Sequence, residues 1–154
     1  MYTKINEKDS AMKLGAIYSK EKTTFTLFSP VADSVFVIFY DKGNDSAEKG
    51  RLEMMRGEGE LRSIFSATAE GNLDGVYYTY EVHTSDGTFS SHDPYARACG
   101  VNGHRSMVID LSKTDPDGFA DEDRPKLADP MSMVITEVSI VDVSAGASAH
   151  SMYP

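Results

Sequence analysis

The sequence contains no tryptophan and a single cysteine, Cys99. One cysteine forms no internal disulfide and cannot by itself build a thiolate metal centre. No signature of a catalytic nucleophile surrounds it, so it reads as a small, buried or semi-buried side chain. Long hydrophobic runs are missing too. No stretch approaches the roughly 20 apolar residues of a membrane-spanning helix. The opening MYTKINEKDSAMKLG is polar, where a secretory leader carries about 7–15 apolar residues. A cytoplasmic location is therefore expected, and the Asn44-Asp45-Ser46 sequon means little without secretion. Positive charge is in short supply: 15 Lys and Arg stand against 24 Asp and Glu, for a net charge of −9. Such a surface repels phosphate backbones and anionic headgroups, which excludes nucleic acid and membranes as general partners. It does not exclude sugars, which are neutral.

What is present is β-forming. The 154 residues suffice for one compact domain, and 40% of them are hydrophobic. Residues 1–13 are polar and read as a flexible N-terminus. From Leu14 the pattern alternates: Leu14, Ala16 and Tyr18, then Phe25 and Leu27 between threonines, then the dense run Val35–Tyr40. Ser29-Pro30 and Asp41-Lys42-Gly43-Asn44 punctuate these runs as turns. Leu52, Met54 and Met55 suggest a short strand, and Ile64, Phe65 and Ala67 begin another. Gly71–Gly75 reads as a turn before Val76–His83, and one face of Tyr77, Tyr78 and Tyr80 must be core. Ser85-Asp86-Gly87 signals a tight hairpin back to Thr88-Phe89-Ser90. Ser106–Leu111 reads as a last strand. No amphipathic helix of ten residues precedes residue 112. About seven short strands with turns between them indicate an all-β, immunoglobulin-like sandwich over residues 14–111.

Residues 112–133, rich in Asp, Pro and Lys, read as a linker. Met133–Val143, MVITEVSIVDV, follows. Its near-continuous Val and Ile content is that of a strand buried on both faces, as in a parallel sheet. An apolar strand without neighbours exposes an edge, so self-association through 134–143 is one expected outcome. Pairing with the sandwich and disorder beyond about residue 130 are the others.

Six runs between residues 14 and 144 carry a resemblance. Leu14–Tyr18 and Thr23–Ala32 look like the opening strands of the N-terminal sandwich of type I pullulanases, a domain similar to the family-48 carbohydrate-binding modules. Asn72–Tyr80 resembles a later strand of that sandwich. Asp93-Pro94-Tyr95-Ala96-Arg97-Ala98 and Gly100-Val101-Asn102-Gly103 resemble the segment leading to the catalytic barrel. Ile135–Ser144 looks like the first strand of that (β/α)₈ barrel, so residues 134–154 are expected to be an orphan barrel start. The resemblance implies a non-catalytic module of an enzyme acting on α-1,6-glucosidic bonds in starch, glycogen or pullulan. Its expected partners are α-glucan or a catalytic barrel. Two departures stand out. Phe28 and Phe65 occupy places where the family usually has tryptophan, and Thr136, Ser139, Val141 and Val143 replace its tyrosine, histidine, arginine and phenylalanine.

Catalysis by this chain alone is not expected. Retaining glycosidases need two carboxyl groups about 5–5.5 Å apart, and a (β/α)₈ barrel of about 250 residues brings them together from several strands. Glu137 and Asp142 lie on one strand and read as solvated or interface carboxylates. The acidic group Asp115, Asp117, Asp121, Glu122 and Asp123 lacks the spacing and terminal glutamate of a calcium loop. His83, His92, His104 and His150 lack metal-ligand spacing. No metal or cofactor is expected. Gly100 and Gly103 lack the lysine of a phosphate loop and read as a turn.

Glucan recognition needs an aromatic face for the sugar ring and amides or charges for its hydroxyls. Phe65 and Phe89 are the candidate platforms, and Asn102 the candidate hydroxyl partner. If the sandwich docks on a barrel instead, Asp93, Pro94 and Tyr95 would lie at that contact.

Overall fold

A computed structural model describes residues 13–123, 126–127 and 129–139. Nine strands form a sheet that curls on itself into a sandwich: β1 (Gly15–Tyr18), β2 (Lys22–Phe28), β3 (Ser34–Tyr40), β4 (Glu48–Arg56), β5 (Ile64–Glu70), β6 (Tyr77–Thr84), β7 (Gly87–Ser91), β8 (Ala98–Cys99) and β9 (Ser106–Met107). The neighbour order is β1-β2-β5-β4-β3-β6-β9-β8, with β7 also paired to β6. Among the described residues, every strand pairing is antiparallel.

β4 joins the two layers. Residues 48–54 pair with β3, and Met55 and Arg56 then pair with Ser66 and Phe65 of β5. The sequence suggests only a short strand here, yet β4 is nine residues long. Its polar outward residues hide it: only Leu52 and Met54 face the core, opposite Val37 and Val35.

The core follows from period-two alternation. Phe25 and Leu27 of β2 sit opposite Ala67 and Phe65 of β5. Val35 and Val37 of β3 sit opposite Val82 and Tyr80 of β6. The rings meet edge to face, Phe25 against Tyr78 at 5.0 Å and against Phe39 at 5.7 Å between centroids. That geometry aligns ring edges with ring faces, as aromatic quadrupoles prefer.

The final expected strand, Ser106–Leu111, is shorter than its composition suggests. After Met107, Val108 still exchanges backbone hydrogen bonds with Val76 and Gly75. The Asp110 carboxylate then accepts from the Ser112 N–H and starts a 3-10 turn, Leu111–Lys113. Lys113 bonds Asp74 at 2.6 Å. The compact first unit runs through Asp115. The stretch expected to be linker therefore begins inside the sandwich.

In the second unit, Phe119–Asp121 and Pro130–Ser132 form 3-10 turns. Residues 133–139 form no strand, and Val134 and Ile135 are 94% and 83% exposed. The buried-type strand expected over 134–143 is thus not present in its described part. Strand backbone needs a neighbouring strand to take up its N–H and C=O groups. Residues 140–154, the rest of the expected barrel start, and residues 1–12 lie outside the described residues.

Candidate functional site

The outer face of the β3–β6–β7 layer carries the polar residues that the core excludes. Since Tyr78 and Tyr80 face inward, Thr79 faces outward, opposite Ile38 of β3. Tyr40 ends β3 on the same face, and its hydroxyl lies 3.2 Å from the Thr79 hydroxyl. Ser90 of β7 pairs with Glu81 and so shares that face. Two loops raise walls around this patch. One follows β3 through Asn44 and Asp45, and the other is the 3-10 turn Val101–Gly103 with His104 and Arg105 behind it.

The result is a groove with two adjoining lobes, each about 400 Å³. Thr79, Ser90, Asn102 and His104 line both lobes. His92 closes one lobe, and Tyr40 with Arg105 closes the other. A second cleft of about 290 Å³ opens between β1 and residues 107–112. It is more apolar, and its Asp110 is already engaged by Ser112.

Arg105 fixes the walls. Its guanidinium stacks on Tyr40, 3.5 Å from the ring centroid, and donates to the Lys42 carbonyl, the Ser46 hydroxyl and the Ser46 carbonyl at 2.7–2.9 Å. The loops touch through glycines. A methyl on Gly100 would stand 2.5 Å from the Gly43 Cα, and one on Gly43 would stand 2.8 Å from the Gly100 Cα. Backbone passes backbone there, and only hydrogen fits. Asn102 is held at φ 53°, a left-handed conformation that asparagine tolerates. Among the described residues, the side chains of His92, Asn102 and His104 bond no other group of the chain. They are the groove's uncommitted donors and acceptors.

Beneath the groove lies a buried latch. Asp93, 2% exposed, accepts from the Tyr78 and Tyr80 hydroxyls at 2.7 and 3.2 Å and from the Tyr95 N–H at 2.8 Å. Its own N–H donates to the Ser106 hydroxyl. Burial, and then the adjacent carboxylate, push both phenols far above the usual tyrosine range, so they remain donors. The latch pins the segment after His92 against β6 and β9, and so positions one end of the groove.

The expected site residues separate. Asn102 lines the groove. Phe65 does not: it is 1% exposed, packed opposite Leu27, with the Arg56 guanidinium over its ring. It cannot present a face to a sugar. Phe89 is 53% exposed, but it pairs with Val82, which packs on the core, so it lies on the opposite face of β7 from Ser90. The three do not form one site. Asp93 is likewise an internal latch and is not accessible to a docking domain, whereas Pro94 and Tyr95 are exposed. Sequence reasoning missed Tyr40, Thr79, Ser90 and Arg105. The available signal was Thr79, a polar residue inside the aromatic run Tyr77–Tyr80. Of the two tryptophan-replacing positions, Phe28 is the exposed one, at 54%.

Among the described residues, no group of three or more His, Cys, Asp or Glu side chains could hold a metal ion, and no helix is long and apolar enough to cross a membrane.

Comparison with known proteins agrees with this architecture. The structure is similar to the pullulanase of Bacillus acidopullulyticus, with a TM-score of 0.69 and 34% identity over 77% of this chain and 14% of that one. It is similar to the Paenibacillus barengoltzii pullulanase in complex with maltohexaose and α-cyclodextrin, with a TM-score of 0.70 and 34% identity over 77% and 18%. In sequence it is 31% identical to pullulanase A of Streptococcus pneumoniae serotype 4 over 116 residues, which are 71% of this chain and 9% of that protein. The chain therefore spans only a small part of its relatives' length. Residues 13–96, more than half of the chain, match the family described as carbohydrate-binding module 48 (isoamylase N-terminal domain). The chain belongs to the carbohydrate-binding module 48 family, and its all-β sandwich is of the kind found in the N-terminal regions of pullulanases.

Proposed function

We propose that the groove on the outer face of β3, β6 and β7 binds α-glucan, and that the chain contributes binding rather than bond cleavage. The observation that carries this reading is the convergence of the uncommitted side chains Asn102, His92 and His104 on one concave surface. Glucose offers hydroxyls in pairs, and amide and imidazole groups bond them without leaving a charge unpaired. Tyr40 supplies ring surface, but Arg105 already stacks on it. With no tryptophan platform, affinity rests on hydrogen bonds and is modest. The Paenibacillus barengoltzii pullulanase has been crystallised with maltohexaose and α-cyclodextrin, which favours α-glucan as the ligand class here. In a pullulanase-type enzyme such a module would hold branched glucan near a barrel that hydrolyses α-1,6 bonds.

A second reading is favoured by the exposed Pro94 and Tyr95. On that reading the sandwich is a docking surface for a catalytic barrel and holds no glucan by itself. Native electrophoresis in gels with and without amylopectin separates the two. Retardation that Asn102→Gly and His104→Ala reduce, and Phe89→Ala does not, establishes the groove. Unchanged mobility at high polysaccharide rejects it and leaves docking.

A further inference from the structure

We propose that two copies of this chain associate by strand addition, residues 134–138 of each pairing with the free edge of β1 in the other. β1 stands at one end of the sheet and bonds β2 alone. The Ser19 N–H donates to the Lys22 carbonyl, the next step of the β1–β2 ladder. Antiparallel alternation then commits Gly15 and Ile17 to β2 and turns the N–H and C=O groups of Ala16 and Tyr18 to the open side. On that side lies the cleft of about 290 Å³ between β1 and residues 107–112. Its other wall is open as well. β8 reaches only to Ala98, opposite Met107. The Val108 and Asp110 N–H groups donate to Val76 and Asp74, whereas Ile109 between them makes no hydrogen bond among the described residues. Two unpaired backbone edges therefore line one cleft, and such edges take up extended chain.

The chain carries a matching donor. Val134, Ile135, Thr136 and Val138 are β-branched, the side chains that favour strands. Residues 134–138 nevertheless form no strand, and Val134, Ile135 and Val138 are exposed. Charge fits too. Lys13 and Arg97, exposed at the cleft, make no ion pair or hydrogen bond among the described residues. Asp110, the acidic residue of the cleft, is buried and held by the Ser112 N–H and hydroxyl. Glu137 is the one charged residue of the donor, and it is exposed. In an added strand Val134, Thr136 and Val138 share the face laid against the cleft, and Ile135 and Glu137 share the other, where Glu137 meets the cations. Each copy holds both donor and acceptor, so a reciprocal pair closes with twofold symmetry. Glucan, having no amides, cannot continue the β1 ladder.

Light scattering on the full chain, over a concentration series, tests this. The mass should double as concentration rises. Ile135→Pro with Thr136→Pro removes two consecutive N–H groups, one of which faces β1 in either register. The change falls where the sandwich has no strand, and it should hold the mass at that of the monomer throughout. Arg97→Glu alone should weaken the dimer by about twofold to thirtyfold, the worth of two exposed ion pairs. Arg97→Glu together with Glu137→Arg should restore it. A parent chain that stays monomeric across the series overturns the proposal. So does a dimer that survives the double proline variant, or one that Arg97→Glu leaves unchanged, because association then runs through another surface. Mass climbing past twofold overturns the closed pair.

Discussion

Replacing Asp93 with alanine should destabilise the chain by about 3 kcal/mol, because it strands two buried phenols. Tyr78 and Tyr80 are 0% and 1% exposed, so water cannot replace the lost acceptor. A buried donor left without a partner costs about 1–3 kcal/mol. Two such donors set an upper bound near 6 kcal/mol. Ser106 reduces it, since its hydroxyl also contacts Tyr78 and can accept from that phenol. Asp93→Asn keeps the shape and one acceptor oxygen, and should cost about half as much. The assay is urea unfolding of the full chain, with Tyr78→Phe/Tyr80→Phe as the second leg of a double-mutant cycle. In that background Asp93→Ala should cost at least about 2 kcal/mol less, since the donors it strands are gone. A loss below about 1 kcal/mol for Asp93→Ala, or additive costs in the cycle, would refute the latch.

Phe65→Ala should cost about 3–5 kcal/mol of stability by urea unfolding, as for other buried aromatic truncations, whereas Phe89→Ala should cost little. Asn102→Gly, which keeps the left-handed backbone open, should weaken glucan retention by about threefold to tenfold, the worth of one or two hydrogen bonds, with the unfolding midpoint little changed. Gly100→Ala should lower stability by about 1–3 kcal/mol and reduce retention together, because its methyl would force the two groove walls apart. The Asp74–Lys113 pair makes stability pH-dependent at both ends. The hydrogen bond from Lys113 holds the Asp74 carboxyl below its ordinary range, and the same bond raises Lys113. The Asp74 contribution is present above the unfolded carboxyl value of about 3.9 and is lost as pH falls through the depressed one. The Lys113 contribution is present below about 10.4 and is lost as pH rises through the raised one. Lys113→Met should flatten both limbs in a pH series of thermal unfolding; identical profiles for the variant and the parent would contradict this.

Much of this protein is legible before folding, because strand periodicity is local. Alternation in Thr23–Phe28 and Val35–Tyr40, and the turn at Ser85–Gly87, are properties of neighbouring residues. They determine an all-β chain and the identity of most core residues. Residues 13–96 carry its family match. Burial and placement across strands are different. Phe65 and Phe89 look equivalent in sequence, yet pairing with Leu27 buries one, and pairing with Val82 turns the other from the groove. The full length of β4 escapes local reading, which offers only a short strand at Leu52–Met55, because two apolar residues among polar ones suffice once both layers claim it. Val134–Ser139 shows the converse: composition proposes a strand, but strands exist only in pairs. The groove is the most tertiary feature of all. Tyr40, Thr79, Ser90 and Asn102 lie on four separate segments, and only the β3–β6–β7 register with the Arg105 and Gly43–Gly100 contacts brings them together. The sequence by itself determined which segments form strands and how their residues alternate; the tertiary structure decided which strands pair and which side chains meet, because a binding surface is assembled across strands and periodicity runs only along them.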